Sequence, residues 1–143
     1  MLSIEQYIER HAQNAPQRVA MVLNGEELTY AELRQRTMLR AKHYQGMQRK
    51  GVVLRARCDA DFLISHFAVH VAGAVAVLLP ATAMPEQVVW VEKSLQGFCF
   101  PEGSADVLFT TGTTGAPKGE VIGTRAIAAS AENIVHGQAY RHD

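Results

Sequence analysis

The chain has 143 residues, with 14 Lys and Arg balanced by 14 Asp and Glu for a formal net charge of zero. At 48% apolar and 20% charged it is composed for a hydrophobic core, which excludes a disordered or collagen-like chain. The balanced charge also argues against a nucleic-acid or anionic-membrane footprint, because both need clustered Lys and Arg.

Ser3 caps a first helix whose apolar positions Ile4, Tyr7, Ile8 and Ala12 follow three-four spacing, and Pro16 stops it. Two apolar runs, 18–23 and 26–30, flank Asn24-Gly25, a pair that tolerates positive φ and so predicts a hairpin. Thr29 and Glu32 form a capping box opening a second helix that ends near Gly46. A strand follows over 52–58, then Asp59 as the cap of a helix over 61–72, with Gly73 allowing close helix–strand packing. Residues 74–79 are continuously apolar, the pattern of a strand buried on both faces of a parallel sheet. Pro85 opens a helix running to about Leu95. A strand over 105–111 leads into a Thr- and Gly-rich loop, a short strand over 120–123 follows, and Thr124 caps a last helix closing at Gly137. Helices alternating with buried strands predict an α/β layered fold, a mostly parallel sheet flanked by helices, in one domain.

The densest basic stretch, 34–57, is interspersed with apolar residues and reads as a solvated helix face followed by a strand. Cys58 and Cys99 have neither CxxC spacing nor a nearby His pair, so no disulfide framework or structural zinc site is expected and a reducing cytoplasm fits. The first residues lack the basic and apolar regions of a secretory leader. The longest apolar run, 67–84, is interrupted by His70, Gly73, Pro80 and Thr82, which argues against a span of roughly 20 apolar residues. His66 and His70 lie one helical turn apart and could face a metal jointly, but no third ligand lies near them in sequence, and a packed helix is the simpler reading. Trp90 reads as core or rim packing.

Chemistry concentrates in Thr110-Thr111-Gly112-Thr113-Thr114-Gly115-Ala116-Pro117-Lys118-Gly119. Glycines let backbone N–H groups turn toward an anion, and threonine hydroxyls add donors at short reach. Lys118 adds a point charge for phosphate oxygens, and Pro117 stiffens the loop beside it. These residues describe a polyphosphate cradle. A Walker A loop would need Gly-x-x-x-x-Gly-Lys-Ser/Thr, which this segment does not have.

The segment resembles the phosphate-binding signature of the adenylate-forming superfamily, Thr-Ser/Thr-Gly-Thr/Ser-Thr-Gly-x-Pro-Lys-Gly, at every position. That superfamily includes AMP-forming acyl-CoA synthetases, aryl-CoA ligases, firefly luciferase and peptide-synthetase adenylation domains. The lead-in Asp106-Val107-Leu108-Phe109 is similar as well. Leu28-Thr29-Tyr30-Ala31-Glu32-Leu33 looks like the family's first core motif, and 72–80 looks like its second.

The resemblance implies an N-terminal part of the large domain of a carboxylate–thiol ligase. A carboxylic acid would attack the α-phosphorus of ATP, pyrophosphate would leave, and CoA or a carrier pantetheine would take the acyl group. Mg²⁺ would accompany the polyphosphate. Thr110, Thr111, Thr113, Thr114 and Lys118 are assigned as side-chain contacts, and Gly112, Gly115 and Gly119 as backbone contacts. Departures from the pattern are Glu120 beside the loop, Thr124 where many members carry histidine, and a short interval from Gly73 to Gly112.

The family's adenine- and ribose-binding segments and its C-terminal lobe with the adenylation lysine have no counterpart in these residues. The 143 residues alone are therefore expected to be catalytically incompetent. Two other readings stand beside this one: a non-catalytic fragment that self-associates through exposed sheet edges or pairs with a missing partner chain, and a small nucleotide-binding module.

Overall fold

The computed structural model describes residues 3–111 and 117–123. Helix α1 (Ile4–Asn14) precedes an antiparallel hairpin of β1 (Val19–Leu23) and β2 (Glu26–Thr29), and α2 (Tyr30–Ala41) follows directly. Then come β3 (Gly51–Ala56), α3 (Ala60–Val71), β4 (Val75–Pro80), α4 (Pro85–Leu95), β5 (Ser104–Thr111) and β6 (Pro117–Gly123). The main sheet has the order β3-β4-β5-β6; the first three strands are parallel and β6 runs antiparallel to β5.

Local chemistry sets the element ends. Ser3 accepts from the Gln6 backbone N–H while the Gln6 side chain accepts from the Ser3 N–H, a complete capping box. Thr29 and Glu32 repeat that arrangement at α2, and Asp59 Oδ1 accepts from Phe62 N–H at α3. Asn24 and Gly25 adopt φ of 53° and 80°, the left-handed pair a tight hairpin needs. Thr29→Ala removes the cap acceptor and should cost about 1 kcal/mol, read as a lower urea midpoint with unchanged slope.

The sheet buries both faces. Toward α4, Val75, Val77, Leu79 and Val107 pack with Val91 and Phe100. On the other face Ala74 and Ala76 meet Val69 of α3, with Val52, Leu54 and Leu78 beside them. A third cluster, Leu28, Leu33, Ala60 and Ile64, joins the hairpin and α2 to α3, and Ile8 of α1 packs against it. The basic stretch is largely a solvated face, where Arg34, Arg36 and Arg40 pair with Glu9, Glu26 and Asp61.

Three expectations change. Strand β6 starts at Pro117 rather than Glu120, so Pro117, Lys118 and Gly119 lie on a strand and not in the loop. Gly73 is required for its φ of +76°, since a Cβ there would meet only Gln48 Cγ at 3.5 Å; the close approach belongs instead to Gly51. Trp90, expected in the core or at its rim, is 53% exposed and lies at the rim. The strand expected over 52–58 ends at Ala56, ahead of the Asp59 cap. The expected helix after Thr124 lies outside the described residues.

Candidate functional site

Strand β5 carries two groups of polar residues, one at its end and one near its start. At its end stand Thr110 and Thr111, paired across the ladder with Lys118 and Pro117 of β6. The strand ladder thus brings Thr110 and Lys118, eight positions apart in the chain, side by side at the mouth of the 112–116 connection. Gly119 pairs with Phe109. Gly112, Thr113, Thr114 and Gly115 lie outside the described residues. β5 is parallel to β3 and β4, so this mouth opens at the carboxyl ends of the parallel strands, where open α/β sheets characteristically bind ligands.

Near its start, β5 carries Asp106, 6% exposed and paired in the ladder with Ala76 on one side and Ile122 on the other. Its carboxylate faces α3. His66 Nε2 lies 2.8 Å from Asp106 Oδ1, and His70 Nε2 lies 2.7 Å from the same oxygen. The other nitrogen of His70, Nδ1, is 2.7 Å from Glu5 Oε1 of α1. His70 therefore bridges two carboxylates from two different elements. Donating to both requires the imidazolium form.

The electrostatics follow from that geometry. Burial alone would push His70 down, but its hydrogen bonds to Asp106 and Glu5 outweigh burial and raise it from 6.5 to about 9. Burial would likewise raise the Asp106 carboxyl, yet the bonds from His66 and His70 bring it from 3.8 to about 2. Glu5 is held below the ordinary carboxylate range against burial, by His70.

The sequence flagged His66 and His70 but supplied neither Glu5 nor Asp106. A signal for Asp106 was present: an acidic residue among the apolar positions of a buried strand demands a buried partner, and two histidines at helical spacing offer one. Glu5, 65 positions from His70, carried no such mark. Cys58 and Cys99 are exposed free thiols. Among the described residues no helix is long and apolar enough to cross a membrane.

No protein-family model and no curated protein matches the sequence. Solved structures do match. o-Succinylbenzoate CoA synthetase (MenE) from Bacillus subtilis, in complex with its acyl-adenylate intermediate, aligns with a TM-score of 0.76 at 17% identity, covering 99% of this chain and 47% of that one. E. coli MenE with bound OSB-AMS aligns at 0.74 and 22% identity, over 95% of this chain and 38% of that chain. The N-terminal subdomain of Klebsiella oxytoca NpsA, in complex with 3-hydroxyanthranilyl-AMSN, aligns at 0.69 and 20% identity, over 87% and 41% respectively. The chain spans less than half the length of each of these structures. Over the matched residues its α/β architecture is the fold of these three structures.

Proposed function

We propose that this chain supplies the ATP phosphate-binding portion of an enzyme that activates a carboxylic acid as an acyl-adenylate and passes the acyl group to a thiol. The observation that carries the reading is the β5–β6 hairpin: it sets Thr110 beside Lys118 at the carboxyl edge of a parallel sheet, with a Thr- and Gly-rich connection between them. The fold shared with MenE and NpsA supports it.

The donor set suits a polyphosphate. Thr110, Thr111, Thr113 and Thr114 offer hydroxyls, Gly112, Gly115 and Gly119 offer backbone N–H groups without side-chain obstruction, and Lys118 offers a cation. The same hydroxyl oxygens fit the hard-oxygen preference of Mg²⁺, which neutralises polyphosphate charge when bound with ATP. In adenylation the carboxylate oxygen bonds to the α-phosphorus as the bond to the bridging oxygen breaks, and negative charge grows on pyrophosphate. Donors held on the leaving β- and γ-phosphates stabilise that charge more than they stabilise ground-state ATP, which is how the loop would accelerate the step. Acid, adenine and thiol are assigned to parts of the enzyme outside these 143 residues, so the chain alone binds ATP without adenylating an acid.

Lys118→Ala tests the assignment. Loss of a charge-assisted phosphate contact should weaken ATP binding about tenfold or more by calorimetry, with the circular dichroism spectrum unchanged. Equal affinity in the two proteins would remove Lys118 from the site. A second reading, association through the sheet edge, draws support from Val121, which is 49% exposed on β6. Sedimentation equilibrium giving a monomer at high concentration removes that reading.

A further inference from the structure

We propose that His66, His70 and Asp106 form a binding site for a divalent transition-metal ion, Zn²⁺ by the chemistry of the donors, with Glu5 orienting His70 from behind. His66 and His70 are four apart on α3, so their rings project from the same face. Asp106 reaches the same point from β5, and one ligand atom from each residue lies within 4.8 Å of the other two. Two imidazoles and one carboxylate leave a fourth position for water, the pattern of an open tetrahedral zinc site.

The outer partner is also in place. A histidine that ligates zinc through one nitrogen usually donates its other N–H to a carboxylate, and His70 Nδ1 already faces Glu5 Oε1 at 2.7 Å. That contact fixes the tautomer that leaves Nε2 free for the ion.

The charge count favours occupancy. Two carboxylates, part-buried Glu5 and buried Asp106, converge on the histidine pair. A divalent cation among them meets that negative charge directly. Ligation requires His70 Nε2 without a proton, any proton there passing to solvent, while Nδ1–H stays donated to Glu5. His66 ligates through Nε2, and Asp106 turns from its contacts with the two rings to ligating. Imidazole nitrogen selects Zn²⁺ over Mg²⁺ or Ca²⁺, which want all-oxygen shells. The ion would tie α3 to β5 four residues before Thr110, and through Glu5 to α1.

The test uses the full 143-residue chain stripped with chelator and titrated with Zn²⁺ against a chromophoric competitor. Saturable one-to-one binding is expected, with no response to Mg²⁺. Zn²⁺ at about 100 times its Kd should raise Tm by about 10 °C. His66→Gln keeps a donor toward Asp106 but loses the ligand and should weaken binding about 100-fold, whereas Glu5→Gln should weaken it about tenfold. Circular dichroism verifies that each variant is folded. If His66→Gln does not fold, the Co²⁺ spectrum of the unmutated chain decides: intense tetrahedral d–d bands without thiolate charge transfer support the site, and an octahedral or thiolate spectrum overturns it. Absence of one-to-one binding to the unmutated chain, or unchanged affinity in folded His66→Gln, also overturns the proposal.

Discussion

Asp106→Ala should lower the stability of the metal-free protein by about 3 kcal/mol, the loss expected when one partner of a buried ion pair is removed. The carboxylate accepts from both His66 and His70, and alanine leaves two part-buried ring nitrogens without that acceptor. Asp106→Asn keeps an acceptor oxygen and should cost about half as much. Urea unfolding of the three proteins reads the order directly. A loss below about 1 kcal/mol for the alanine variant would mean the cluster does not contribute to the core.

The same cluster sets the pH dependence. His70 titrates near 6.5 unfolded and at about 9 folded, so its contribution is fully present below 6.5 and is lost as pH rises toward 9. Asp106 titrates at 3.8 unfolded and about 2 folded, so its contribution is present above 3.8 and is lost as pH falls toward 2. Stability of the chelator-treated protein should therefore peak between 3.8 and 6.5 as far as this cluster is concerned. The rise of His70 corresponds to about 3 kcal/mol between the acid plateau and pH 9. The His70 and Asp106 shifts describe one shared set of bonds and are not added. Because Glu5 is the other carboxylate on His70, Glu5→Gln should shrink the alkaline loss, and the unchanged curve would contradict the assignment.

Gly51→Val is the second large effect. A Cβ on Gly51 would stand 3.0 Å from Leu95 Cδ1, 3.0 Å from Val77 Cγ2 and 3.2 Å from Phe100 Cε2. Val77 is fully buried and Phe100 nearly so, and valine brings two further methyl groups into that space. The strand, α4 and the segment after it would have to move apart, at a cost of about 3 kcal/mol. Gly51→Ala requires shifts of a few tenths of an ångström and should cost about 1 kcal/mol. Thermal unfolding of the two variants separates them, and equal Tm values would mean the space is more open than the geometry gives.

Most of the element sequence was legible because it rests on short-range chemistry. The Ser3 and Thr29 caps, the Asn24-Gly25 turn and Pro85 each act within a few residues, and the elements they open start where those residues put them, although α2 ends at Ala41 and not near Gly46. The parallel arrangement of β3, β4 and β5 was legible from continuous apolar strands between helices. What was not legible depends on pairing between distant segments. The β5–β6 ladder draws Lys118 onto a strand although its composition reads as loop, because hydrogen bonding to β5 outweighs local preference. The histidine cluster needed the placement of α1 against α3, and Gly51 needed the position of Phe100. The cradle residues 112–115 were read from composition and family resemblance, and the described strands contribute the pairing on either side of them.

Calorimetric titration of the chain with pyrophosphate, ATP and AMP tests the central claim most directly. If the β5–β6 hairpin holds the polyphosphate, ATP and pyrophosphate bind one-to-one and compete with each other, while AMP binds at least about tenfold more weakly. AMP binding as tightly as ATP, or pyrophosphate failing to displace ATP, would contradict it.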